Sequence, residues 1–104
     1  HGAVTLMAPP QEPAAHVHHL FVVTCAQRDA LQAHLKARGV QSLIHYPVPI
    51  HHQPPCAGLR RDPLGLAASE RHAATCLSLP CHPQMDDGAV QQVIDAVNAF
   101  APAA

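Results

Sequence analysis

The stretch Val17-His18-His19-Leu20-Phe21-Val22-Val23-Thr24, followed after two residues by Gln27-Arg28-Asp29-Ala30-Leu31-Gln32-Ala33-His34-Leu35-Lys36-Ala37-Arg38-Gly39, decides the fold class. Leu20 to Val23 places apolar groups on both faces of an extended chain, the pattern of a central strand covered by helices. His16 and His18 would share one face of that strand and His19 the other. The period then changes. Leu31 and Leu35 stand four apart among Ala30, Ala33 and Ala37, so residues 27–38 are expected to form a helix. Lys36 and Arg38 fall in its last turn, where cations suit the helix dipole, and Gly39 is placed to stop it.

Working outward, residues 40–46 read as a second strand with Val40, Ser42, Ile44 and Tyr46 on one face. Residues 47–63 carry prolines at 47, 49, 54, 55 and 63, with Gly58 among them, and are expected to be irregular. A loop of that length inside a compact domain is usually functional or disordered. Residues 67–76 read as a short helix and residues 77–80 as a short strand closed by Pro80. The last helix is expected over residues 87–100. Asp86 is its N-cap, and Met85 and Val90 have the spacing of a hydrophobic staple. Val90, Val93, Ile94, Val97 and Phe100 form its apolar stripe. At the other end, residues 1–15 hold Pro9, Pro10 and Pro13 without a helical period. They read as an extended linker, or the tail of a large domain upstream, ahead of a domain over residues 16–104. The expected order is β-α-β-loop-α-β-α. This is an α+β fold with a small sheet of about three strands covered by helices. The pattern leaves the sense of the strands open.

Composition narrows the function classes. At 104 residues the chain is one domain, and its 48% apolar content allows a packed core. Charged residues are 12%, half the usual ~25%, and the net charge is −1, so there is no electrostatic case for nucleic acid or an anionic membrane. The run Leu20 to Val23 falls far short of the ~20 apolar residues that span a bilayer, and no secretory signal pattern is seen. Cys25, Cys56, Cys76 and Cys81 form no C-x-x-C pair and read as free thiols of a cytoplasmic protein. A chain that opens on His1 rather than Met reads as processed, engineered or cut from something longer.

The chemistry-bearing stretch is His45-Tyr46-Pro47-Val48-Pro49-Ile50-His51-His52-Gln53. It leaves a strand end and enters a loop whose prolines limit its conformations, so polar side chains are held there at reduced entropic cost. Imidazole, phenol and amide groups all hydrogen-bond a polyhydroxylated ligand. The plainer reading is that they satisfy loop backbone, and composition alone favours that slightly. Metal ligation by His45, His51, His52, Cys56, Cys81 and His82 is possible by residue type, but no spacing forces them to converge, so no metal ligand is assigned. His16, His18 and His19 read as strand-edge or capping residues. Cys81 beside His82 offers a nucleophile and a base by residue type, but neighbours in sequence rarely make a dyad, and a buried structural cysteine is the preferred reading. The scattered glycines cradle no phosphate, and Asp86 and Asp87 suit helix capping better than acid–base work.

Four stretches together resemble a known template. They are Ile44-His45-Tyr46-Pro47-Val48-Pro49-Ile50-His51 with Gln53, Leu77-Ser78-Leu79-Pro80 with His82-Pro83, His19-Leu20-Phe21-Val22-Val23, and Arg28-Asp29 with Leu31, Leu35 and Gly39. Over residues 16–100, they resemble the C-terminal small domain of the DegT/DnrJ/EryC1/StrS aminotransferases. These are largely pyridoxal-phosphate-dependent enzymes acting on nucleotide sugars. The resemblance implies the small domain of the aspartate-aminotransferase (type I PLP) fold, preceded in the full enzyme by a large cofactor domain. It implies a homodimer that passes an amino group from glutamate to a keto nucleotide-sugar, with the form of the loop resembling members that aminate a 3-keto-6-deoxyhexose. His45, Tyr46, His51 and Gln53 are the positions it marks as substrate-binding.

The departures from that template are informative. The family's Schiff-base lysine and phosphate-holding residues belong to the large domain. Lys36, the sole lysine, lies on the expected solvent face of its helix. Residues 54–67 lack the Gly-x-Phe-Pro pattern often seen before the helix at Ser69-Glu70. No catalytic or cofactor-binding residue is therefore assigned. Pyridoxal phosphate is expected in the full-length enzyme and not on this chain, which is expected to be inactive alone. Two other readings stand beside this one: a stand-alone binding or self-association module on the same fold, and a histidine-rich metal-binding protein.

Overall fold

The computed structural model describes residues 1–104. Its elements are β1 (Thr5–Leu6), β2 (Phe21–Thr24), α1 (Arg28–Ala37), α2 (Ala67–Thr75), β3 (Cys76–Leu79) and α3 (Asp87–Asn98). Single turns of 3-10 helix lie at Pro13–Ala15, Ile50–His52 and Pro54–Cys56. The sheet runs β1-β2-β3 and is antiparallel throughout. Phe21 pairs with Leu79 and Val23 with Leu77, while Thr5 pairs with Thr24. The α+β class and the small three-stranded sheet agree with the sequence reading.

Alternation along the strands places the core. Val23, Leu77 and Leu79 share one face of the sheet, where they pack with Leu31 and Leu35 of α1, with Ala96 in the last turn of α3 and with Phe100 just beyond it. Leu31, Leu35, Leu77 and Val23 are completely buried. Every residue of β3 is buried, so its second face, carrying Cys76 and Ser78, is covered as well.

The caps follow the sequence. At the end of α1 the N–H of Gly39 bonds Lys36 O and that of Val40 bonds Leu35 O, both at 3.0 Å. This is the paired arrangement that closes a helix through a left-handed residue, and Gly39 has φ +75°. Asp86 caps α3, its Oδ1 accepting from the N–H of Ala89 at 2.7 Å.

The structure corrects the sequence reading in four places. The strand expected over residues 17–24 begins only at Phe21, because His18 takes a left-handed φ of +47° and leaves the neighbouring Val17 90% exposed. The strand expected over residues 40–46 is reduced to one bridge, between Leu43 and Ser78. Pro47 and Pro49, which follow at once, lack the N–H groups that a continuing ladder needs. The third strand comes instead from the segment expected to be a linker, where Thr5 and Leu6 pair along β2. The loop over residues 47–63 is not wholly irregular, since it contains two of the 3-10 turns. The order is therefore β-β-α-α-β-α. No helix is long and apolar enough to cross a membrane.

Candidate functional site

The site grows from the edge of β3. Leu43 and Ser78 exchange backbone hydrogen bonds of 3.1 and 2.7 Å, which bring the following residues against the buried second face of that strand. The imidazole Nδ1 of His45 then shares a 2.9 Å hydrogen bond with Ser78 Oγ, whose residue is only 5% exposed. The thiol of buried Cys76 points to the carbonyl oxygen of His45 at 3.7 Å. His45 is thus held by two successive positions, Cys76 and Ser78, on the buried second face of one strand. Tyr46 follows through a cis peptide bond, and its ring stands edge-on to the His45 ring at 5.3 Å. Tyr46 is 71% exposed. An aromatic side chain braced from behind and open in front is a contact surface rather than core.

Beyond Pro47 the loop binds itself. The N–H of His52 bonds Pro49 O at 2.9 Å, the N–H of Gln53 bonds Ile50 O at 3.0 Å, and the Gln53 amide donates to Val48 O at 3.2 Å. His51 reaches out of the loop to α2, where its Nε2 lies 3.0 Å from Glu70 Oε1, with His52 Nε2 3.5 Å from the same oxygen. The hydrogen bond from His51 is the largest influence on Glu70 and lowers its carboxyl below its ordinary value. Desolvation acts the other way, while the charges of His51 and His52 add to the lowering.

Of the four residues marked in the sequence, the structure gathers His45 and Tyr46 at the strand edge, and ties His51 to α2 and Gln53 to the loop backbone. Two partners escape the sequence reading. Ser78 carries one weak signal, a lone hydroxyl among buried apolar neighbours of a strand. Glu70 carries none, because only the fold brings it to His51. Of the wider set of histidines and cysteines, His51 and His52 meet at Glu70, and the others do not join them. Cys81 and His82 line an apolar groove against α3, where the Cys81 thiol also donates to His18 O at 3.3 Å. His16 folds back locally, its Nδ1 accepting from the N–H of His18 at 2.8 Å. All four cysteines are free thiols.

The surroundings of the sole lysine do not fit the pyridoxal phosphate that the resemblance implies for the full-length enzyme. Lys36 is exposed on α1 and lines an open groove with Asp29, Gln32 and Ser42. That lining holds neither an arginine for a phosphate nor an aromatic ring for a pyridine.

Comparison with known proteins gives the lineage. A sequence model of the DegT/DnrJ/EryC1/StrS aminotransferase family matches residues 1–98. The chain is 43% identical over 94 residues to the dTDP-3-amino-3,4,6-trideoxy-alpha-D-glucose transaminase of Streptomyces venezuelae, covering 90% of this chain and 24% of that protein. It is 38% identical over 86 residues to the dTDP-3-amino-3,6-dideoxy-alpha-D-galactopyranose transaminase of Aneurinibacillus thermoaerophilus, covering 83% of this chain and 23% of that protein. The crystal structure of DesV from S. venezuelae superposes with a TM-score of 0.79 at 40% identity, over 91% of this chain and 25% of that one. The chain spans about a quarter of the length of these relatives. It belongs to the DegT/DnrJ/EryC1/StrS aminotransferase family.

Proposed function

We propose that this chain supplies the C-terminal small domain (residues 16–104, with residues 1–15 leading into it and adding β1 to its sheet) of a pyridoxal-phosphate-dependent aminotransferase acting on a keto nucleotide-sugar. A 3-keto-6-deoxyhexose is the favoured sugar and glutamate the amino donor. The full enzyme is a cytoplasmic homodimer. The large domain supplies the lysine and the cofactor site, and this chain alone does not transaminate. Its contribution is the wall formed by His45, Tyr46, His51 and Gln53.

The observation that carries this reading is the braced loop. Tyr46 presents its phenol outward while His45 is pinned from behind by Ser78. His51, within the first 3-10 turn of the loop, and Gln53, directly after it, fix the path of the loop. Such a wall positions hydroxyl-rich ligands by direct hydrogen bonds at little ordering cost. A second observation supports the need for a further domain. Leu6, Phe21, Val90 and Ile94 line an uncovered apolar groove of about 570 Å³ between the sheet and α3, the surface expected where the remainder of a longer enzyme sits.

The test is a chimera in which this chain replaces the matching quarter of the S. venezuelae enzyme. The chimera is expected to aminate the keto form of the dTDP-linked sugar for which that enzyme is named. In it Tyr46→Phe should raise KM for the nucleotide sugar about three- to tenfold, the worth of one hydrogen bond. A folded chimera without transaminase activity would defeat the assignment. An unchanged KM would remove Tyr46 from the wall. Turnover by the isolated chain with pyridoxal phosphate and glutamate would defeat the claim that it needs the large domain.

A further inference from the structure

We propose that His51, His52 and Glu70 form a binding site for one divalent transition-metal ion of the zinc class, clamping the proline-rich loop to α2. The site goes beyond the aminotransferase reading and does not rest on it.

One ligand atom from each of the three residues lies within 4.8 Å of the other two. Glu70 Oε1 is 3.0 Å from His51 Nε2 and 3.5 Å from His52 Nε2. Neighbouring ligands around an ion with bonds of about 2.1 Å stand roughly 3.0 to 3.4 Å apart in octahedral or tetrahedral geometry. The His51 edge therefore already has the length of a coordination polyhedron, the His52 edge of 3.5 Å is slightly longer, and seating an ion takes an inward shift of the His52 ring. Two imidazoles and one carboxylate also make the donor set that divalent zinc, nickel, copper and iron accept, and that magnesium and calcium do not prefer.

The supports are rigid and independent of the ion. His51 and His52 sit in a 3-10 turn between Pro49 and the pair Pro54 and Pro55, closed by its own backbone hydrogen bonds. The two rings lie with centroids 4.3 Å apart, and both reach the same carboxylate oxygen. Glu70 stands in the first turn of α2, anchored by the hydrogen bond from its N–H to Leu66 O at 3.0 Å. The His51 side chain is 11% exposed, while those of His52 and Glu70 are about half exposed. An ion reaches the cluster from the solvent side, and its remaining positions stay open to water or another oxygen ligand. The same three groups without an ion make a hydrogen-bonded pair of histidines on a carboxylate, and a titration separates the two states.

The experiment uses the whole 104-residue chain, freed of metal by chelator dialysis and titrated with zinc chloride by calorimetry, with elemental analysis of the dialysed complex. One equivalent is expected. Loss of a direct ligand should weaken binding at least by the about ten- to hundredfold that outer partners of a metal site are worth. His52→Ala and Glu70→Gln should each do so, while the paired variant His16→Ala with His18→Ala leaves the affinity unchanged. Circular dichroism of each variant checks the fold, and both His52 and Glu70 are exposed enough for their replacement to be tolerated. Cobalt gives a second readout, because its visible bands should change in Glu70→Gln and not in the His16/His18 variant. Absence of a saturable equivalent, unchanged affinity in Glu70→Gln or His52→Ala, or dependence on His16 and His18 alone would each overturn the site.

Discussion

At the scale of single residues, the site depends on a hydroxyl. Ser78 is the polar member of an otherwise apolar strand, and its Oγ holds the His45 ring. Ser78→Ala removes a buried partner and leaves the His45 Nδ1 facing an apolar wall. The expected loss is about 1 kcal/mol in urea unfolding, the worth of one hydrogen bond with its partner left unsatisfied. Ser78→Thr keeps the hydroxyl but adds a methyl to a filled face, so it should recover only part of that loss. Tyr46→Phe should leave unfolding unchanged within about 0.5 kcal/mol, because the side chain is largely in solvent. The contrast separates a residue that positions from one that is offered outward. His45 and Tyr46 are legible as site residues because residue type and proline spacing act locally. Ser78 and Glu70 are not, since their roles arise from contacts 33 and 19 positions away in sequence.

At the scale of elements, helix ends carry most of the readable information. Gly39→Ala forces a Cβ into a left-handed conformation, although that carbon would meet no clash, with Gln92 Nε2 at an ordinary contact distance of 3.5 Å. The cost is conformational, about 1 kcal/mol, and should appear as a lower melting temperature. Asp86→Ala should cost about 1 kcal/mol through the lost cap, and Asp87→Ala less, because Asp87 only complements the dipole. Arg28 is a less obvious case. From the first turn of α1 its guanidinium donates to Ala73 O at 3.2 Å and Cys76 O at 3.4 Å, near the end of α2 and at the start of β3. Helices are legible because period, cap and stop all lie within one short window. Residues 40–46 mislead as a strand because alternation says nothing about whether a partner edge continues. Here the ladder stops after one bridge at Leu43, and Pro47 and Pro49 keep it from resuming. Thr5 and Leu6 stay hidden for the converse reason: two residues carry no period, and only the exposed edge of β2 makes them a strand.

At the scale of the whole molecule, two kinds of apolar surface coexist. Leu31 is completely buried, and Leu31→Ala should cost about 2–5 kcal/mol, a large part of the stability of a domain this size. Ile94 belongs to the stripe read from the sequence, yet it is 45% exposed and faces the groove that also holds Phe21 and Val90. The sequence marks both residues as apolar, but it does not distinguish a face covered by this chain from one that the proposed large domain would cover. Ile94→Asp makes the distinction measurable. In the isolated chain the carboxylate reaches water along the open groove, so the expected loss is under about 1 kcal/mol by urea unfolding. In the chimera with the S. venezuelae enzyme, the same carboxylate would be buried without a partner, and the assembled protein should lose both thermal stability and activity. A substitution that is mild in the chain and damaging in the chimera identifies the groove as the seat of the large domain. One equally mild in both would mean that the groove stays open in the full enzyme, and the exposed stripe of α3 would then need another occupant.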